Sequence, residues 1–309
     1  MEDLLTGHPA RGTPRIMAWV PLAVLAGVMV VALSSSDPLM QLLPWVVLTG
    51  MLLFMSARVR RMRSLERQTH RVQELAMLRH QREALDAGWA LLPQLTGSLD
   101  LYARTTALLA HLLDQLKAYD SAIVGYDFLI ERLPQEHPAS VQLRVQKTIV
   151  QLESDHLADA DDGLRKLRAL QQHPSVTPVQ AAYHYALLLQ SVRTHHYDDA
   201  IAMAGGLLDN LRPLGVDAGY GHALLAWSFA AHAERLRLRE AESPQTNAGA
   251  GAQETHSELM QSATTWWSSA TLLLPVADLA RRHVHLHDFS QRPPIAAATQ
   301  SAVPPAGNA

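Results

Sequence analysis

The sequence predicts an all-α protein, with an N-terminal transmembrane helical hairpin followed by an α-solenoid of helix pairs. Three observations carry that expectation. Two uncharged apolar runs stand near the N-terminus, a spacing of alanine, aromatic and proline recurs further on, and the segments between repeat their apolar residues at helical period. Of the 309 residues 48% are hydrophobic, enough to bury a sizeable core.

The apolar runs cover 16–33 (IMAWVPLAVLAGVMVVAL) and 39–55 (LMQLLPWVVLTGMLLFM). Neither holds a charge, and each is close to the ~17–20 residues a helix needs to cross a bilayer. Pro21 and Pro44 are tolerable in such helices, because local adjustments satisfy the freed backbone groups. The connector SSSDP is short and polar, which implies a tight hairpin. Arg11 and Arg15 precede the first run, Arg58, Arg60, Arg61 and Arg63 follow the second, and the connector carries only Asp37. The positive-inside rule then places both termini in the cytoplasm. Abundant Ala and Arg with only three Lys suggest a GC-rich bacterial genome, hence an inner membrane. A rival reading makes the first run a signal peptide cut near Ala32–Ser34, and Glu2, Asp3 and the length of the run oppose it.

Residues 1–15 form an N-terminal extension, 16–56 the hairpin, and 57–98 a basic helix and linker, with one helix expected over 57–92. Met62, Leu65, Thr69, Val72 and Ala76 follow a 3,4,3,4 spacing. Such a stripe fits a homodimer seam over 62–76 or packing on the neighbouring domain. The arginines suit anionic lipid headgroups.

Charge is divided unevenly. Residues 1–80 carry nine Arg against five acidic residues, and 81–309 carry 17 Lys and Arg against 24 acidic. That acidic balance argues against nucleic-acid binding by the larger part. The absence of cysteine excludes disulfides, thiolate nucleophiles and Cys-based metal centres. No nucleophile elbow, phosphate-binding loop, H-E-x-x-H or dinucleotide fingerprint occurs, so neither an enzyme nor a cofactor is expected.

The repeat is clearest in YDSAIVGYDFLIERLP and SATTWWSSATLLLP. Ala122, Tyr126 and Pro134 have the same offsets, four and twelve, as Ala263, Trp267 and Pro275. Weaker copies are Ala160, Leu164 and Pro174, then Ala200, Ala204 and Pro213. Each is preceded by an amphipathic segment, such as LYARTTALLAHLLDQL or GYGHALLAWSFAAHAERL. Ser140 and Asp217 are expected N-caps, and TPVQ and THSE expected capping boxes. A small residue lets two antiparallel helices approach, the aromatic fills the space one turn later, and proline stops the second helix. Residues 242–253 (ESPQTNAGAGAQ) read as a low-complexity insertion, and the Pro/Ala-rich 290–309 as a disordered tail.

Over residues 99–275 this pattern resembles the tetratricopeptide repeat, whose first helix is matched by Leu109-Ala110-x-x-Leu113 and Leu225-Ala226-x-x-Phe229. The two middle copies lack the aromatic, and the repeat exceeds the family's usual ~34 residues. The resemblance implies a solenoid over 99–289 that captures a protein or peptide, and the layout is similar to bacterial inner-membrane proteins that join a two-helix anchor to such repeats. First-helix residues not used in stacking would face the groove, with Arg104, His111, Asp114, Tyr185 and Arg193 as candidates. Two readings compete. A metal-dependent enzyme or sensor would use His283 and His287 of RRHVHLHD, placed on one face if the segment past Pro275 is a single helix. His285 would point away, leaving too few ligands, so no metal is expected. A self-assembling structural membrane protein would use the 62–76 stripe.

Overall fold

A computed structural model describes residues 38–133, 138–170, 178–242, 249–283 and 285–292. Among the described residues the chain is helical, with no strand. It divides into two compact units, Met1–Leu129 and Ile130–Ala309.

The first unit contains α1 (Pro38–Met77), α2 (Gln81–Leu91), a 3-10 turn (Leu92–Leu95), α3 (Leu99–Gln115) and α4 (Tyr119–Ile130). The single helix expected over 57–92 is therefore two helices. Arg79 adopts φ 63° and reverses the chain. The reversal is closed by His80 N–H donating to Leu75 C=O at 3.0 Å and Arg79 N–H to Ala76 C=O at 3.1 Å. This double bond around a left-handed residue is a Schellman helix end, which satisfies carbonyls that would otherwise be left without partners.

The same device recurs. Lys117, Asp155 and His195 have φ of 61°, 62° and 59°, at intervals of 38, 38 and 40 residues counted from Arg79. Their long closing bonds are Ala118 N–H to Leu113 C=O (2.8 Å), His156 to Gln151 (2.9 Å) and His196 to Ser191 (2.8 Å). Five residues past each left-handed residue stands an alanine, and Ala84, Ala122, Ala160 and Ala200 are all fully buried. The reversal and the alanine make one unit of pattern: the turn sends the second helix back along the first, and the missing side chain lets the two touch. The copy at Ala84 escapes the sequence pattern because Gly88, not an aromatic, follows four residues later. A Cβ at Gly88 would lie 2.6 Å from Leu109 Cδ2 and 3.5 Å from Val72 Cγ1, so α1 and α3 close onto α2 at this glycine.

The 62–76 stripe packs within its own unit. Leu65 and Val72 are buried, Met62, Thr69 and Ala76 half-buried, and α1 lies against α2 and α3. The central apolar positions proposed for a homodimer seam are thus already covered by the same chain, which is the simpler way to remove them from water. Of the two apolar runs, 16–33 lies outside the described residues and 39–55 opens α1. Trp45, Val46, Leu52, Leu53 and Phe54 are exposed there. Among the described residues no helix is long and apolar enough to cross a membrane, so the hairpin is not shown.

The second unit holds α5 (Pro138–Glu153), α6 (Leu157–Leu170), α7 (Pro178–Arg193), α8 (Tyr197–Ala202), α9 (Ala204–Leu211) and a 3-10 turn (Arg212–Asp217). It continues with α10 (Ala218–Glu242), α11 (Gly249–Leu273), α12 (Val276–Arg282) and α13 (His285–Ser290). The first helices α5, α7 and α10 are successive neighbours, and each second helix also meets the first helix of the next pair. Leu188, Leu189, Leu224, Leu225 and Trp267 are fully buried in the shared core, and the Trp267 ring meets Phe289 edge-on at 5.2 Å.

The repeat residues Ala122, Tyr126, Ala200, Ala263 and Trp267 are all buried. Pro275 separates α11 from α12, while Pro134 and Pro174 lie outside the described residues. Several local expectations are corrected. Ser140 sits in the first turn of α5 rather than capping it, and THSE lies inside α11, which already begins at Gly249. Ala, Gln and Glu are strong helix formers, so the end of the expected insertion joins the helix. Residues 243–248 lie outside the described residues. The helix past Pro275 is broken, since His283 is extended (φ −122°, ψ 99°) between α12 and α13. His283 and His287 therefore share no helix face.

Two outcomes follow from the reversals. Lys117→Gly relieves a left-handed residue that bears a Cβ, and should raise stability by about 0.5–1 kcal/mol in a urea titration. Ala160→Leu overfills the close approach of α5 and α6 and should cost about 1–3 kcal/mol in the same titration.

Candidate functional site

Two faces of the first helices concern a binding role, one in each unit. In the first unit, α1 and α3 diverge around an open cavity of about 790 Å³. Its apolar wall includes Met62, Leu101, Ala107 and Leu108, and its polar edge Glu66, His70, Gln73, Asp100 and Arg104. Asp100 lies in the first turn of α3, where the helix dipole favours an anion. It pairs with Arg104 at 3.0 Å, with both side chains 70% exposed. Such a pair contributes little to stability and stays available to another partner. Of the sequence candidates, Arg104 lines this cavity. His111 lies further along α3 and shares a 2.8 Å hydrogen bond with Gln115, while Asp114 is buried.

In the second unit the corresponding first helices meet the chain's own C-terminal segment. The Tyr185 hydroxyl lies 3.2 Å from His283 Nε2. His283 approaches the Tyr220 ring (6.4 Å) and stacks with His285 (6.0 Å), which in turn lies 4.9 Å from Trp227. Arg282 Nε donates to Glu153 Oε1 at 2.7 Å and its guanidinium sits 5.2 Å over the Tyr220 ring. The Glu153 side chain is 4% exposed and that of Arg282 23%, so a buried carboxylate is paired with a half-buried guanidinium. Leu279, Leu286 and Phe289 anchor the segment on either side, each almost fully buried. Tyr185, expected to face the groove, is buried here against His283, with Arg282 and His285 packed on the neighbouring aromatics.

Arg193 holds neighbouring pairs together. Its guanidinium donates to Glu153 C=O at 3.1 Å and to Asp155 Oδ1 at 3.2 Å, gripping the α5–α6 reversal from the end of α7. Arg235 of α10 does the same to the next reversal, donating to His195 C=O at 3.3 Å and stacking 5.0 Å over Tyr197. In the first unit, Gln81 Nε2 beside the first reversal donates to Gln115 of α3 at 2.8 Å.

Residues 283–287 do not gather as a metal site. His283 faces Tyr185, His287 is exposed, and the ring stacked on His283 is His285, the one expected to point away. Among the described residues no group of three His, Asp or Glu is placed to hold a metal ion. The basic cluster Arg58, Arg60, Arg61 and Arg63 is exposed along α1.

The sequence reading missed Glu153, Tyr220, Trp227 and Arg282. Glu153 and Arg193 each end a first helix two residues before a left-handed turn, so the register of the repeat held a signal for them. Arg282 and the two aromatics carried none, because their partners lie tens of residues away. No family model matches the chain, and no curated protein or solved structure was found to be similar to it.

Burial holds the pKa of His184 below its ordinary value. Burial also depresses His222, opposed in part by the nearby Ser269 backbone carbonyl. His285 is lowered by burial and then by the nearby Arg193 charge. For each, the fold favours the neutral ring, so this stability is present above the unfolded value of 6.5 and is lost as pH falls below it through the lowered folded values. Melting curves should therefore be flat between about pH 8 and 7 and fall on acidification below 6.5, with the fall reduced in His222→Asn and His285→Asn variants. Glu153→Gln leaves Arg282 without its buried counter-charge. It should cost on the order of 2–4 kcal/mol by urea denaturation, partly recovered by adding Arg282→Met.

Proposed function

We propose that this protein is a non-catalytic, membrane-tethered helical-repeat scaffold that captures a peptide or protein segment on the cytoplasmic side of a bacterial inner membrane. One observation carries the reading: the open cavity between α1 and α3, with apolar wall and polar edge drawn from two successive first helices. A bound segment seats an apolar side chain against Met62, Leu101 and Leu108, and its polar groups meet Glu66, Gln73, Asp100 and Arg104. The resemblance to tetratricopeptide repeats supports this use of the first helices, as does the regular recurrence of the reversals.

The tether belongs to the same proposal. Runs 16–33 and 39–55 form the hairpin, and the exposed apolar side chains from Trp45 to Met55 at the start of α1 favour a non-aqueous surrounding for that stretch. The arginines that follow hold the repeats on the cytoplasmic side.

The test uses the full chain in membranes with a photo-crosslinking residue at position 104, and a second protein labelled at Leu272, which is exposed on the other unit. A defined segment crosslinked from 104 and not from 272, and lost on Asp100→Ala with Gln73→Ala, is the expected result. Equal labelling from both positions, or capture of the protein by itself alone, would sink the groove.

A further inference from the structure

The exposed side of α1 carries a second feature that the groove does not use. Arg60, Arg63, Arg67 and Arg71 are all exposed and spaced 3, 4 and 4 residues apart. They form one stripe opposite the face that buries Leu65 and Val72. Arg67 Nε donates only to the backbone carbonyl of Arg63, and none of the four pairs with a described carboxylate. Some exposed bases on other helices do pair with an acid one turn away, as in Arg104–Asp100, Arg165–Asp161 and Arg237–Glu234. On α1, Glu66 and Glu74 lie three residues past Arg63 and Arg71 without pairing with them, whereas Arg63, Arg67 and Arg71 follow one another at four-residue steps, and like charges at that spacing destabilise a helix. A helix with this arrangement is relieved by an anionic surface.

We propose that this stripe lies along anionic phospholipid headgroups, so that α1 inclines onto the membrane surface with the α1–α3 groove a quarter-turn away and open to water. The inference rests on the tethered reading above. Continuity of α1 selects lipid as the source of negative charge, since the exposed apolar side chains at 45–55 precede the stripe on the same helix. Reach then sets the geometry. At ~1.5 Å per residue an upright helix would hold Arg71 roughly 24 Å beyond Met55. Headgroups extend only ~5–7 Å past the hydrocarbon and charge is screened over about 8 Å. The distal arginines meet lipid only when the helix leans.

The chain has no cysteine, so a single fluorophore at Glu74→Cys, just past the stripe, reports without background. The full-length protein would be reconstituted into phosphatidylcholine vesicles, with or without about 30% phosphatidylglycerol, containing a headgroup-linked quencher. Quenching is expected to be at least about twofold greater with the anionic lipid. It should return to the neutral-lipid level in high salt and in the Arg63→Gln, Arg67→Gln, Arg71→Gln variant, which stays membrane-bound after an alkaline wash. Equal quenching in both lipids, or no change in the triple variant, would overturn the stripe and leave a solvated helix face. Quenching that appears only when an acidic protein is added would reassign the stripe to a protein partner. Release of the unsubstituted chain by the alkaline wash would instead remove the tether itself.

Discussion

The structure depends on one backbone event used four times among the described residues, a left-handed residue at the end of a first helix followed five residues later by a fully buried alanine. Each of these residues bears a side chain, so each position carries the steric cost that glycine would avoid. The cost is offset by the closing hydrogen bonds, two at Arg79, Lys117 and His195 and one at Asp155, and by the close approach that the alanine allows. Because the reversal sets where the second helix begins, it also sets which residues of that helix can be large. Ala122 and Ala263 are followed one turn later by the buried aromatics Tyr126 and Trp267, whereas Gly88 after Ala84 leaves a tighter junction.

A second regularity is laid over the first. The reversals at Asp155 and His195 are each gripped by an arginine of the next first helix, Arg193 and Arg235, reaching backbone carbonyls 40 residues earlier. Carbonyls at helix ends are acceptors without intrahelical partners, and a guanidinium is well matched to them. Arginine usage on the first helices thus serves stacking before it serves recognition. In the second unit Glu153 neutralises Arg282 and Tyr185 meets His283. These groups are engaged within the chain, whereas Asp100 and Arg104 at the cavity of the first unit stay exposed.

Much of the architecture was legible in the chain. Apolar periodicity gave helices throughout, and Ala122, Ala160, Ala200 and Ala263 marked junctions where the structure buries them completely. The site was less legible. Arg104 lines an open cavity, whereas Tyr185 and Asp114 are buried and Arg193 serves a neighbouring turn. All five candidates are polar residues on first helices, and periodicity alone does not distinguish a groove position from a clamp or a buried contact. That distinction depends on what lies opposite, and for Tyr185 the opposite group is 98 residues away.

The sequence by itself determined the helical class, the pairing of helices and the charge division between α1 and the rest, because these follow from local spacing and composition. Tertiary structure alone decided that the 57–92 helix reverses at Arg79, that the 62–76 stripe is covered by its own unit, and that the histidines past Pro275 are split by an extended residue. The reason is physical. Spacing fixes which side chains share a face, whereas burial and hydrogen bonding depend on surfaces brought together from distant parts of the chain.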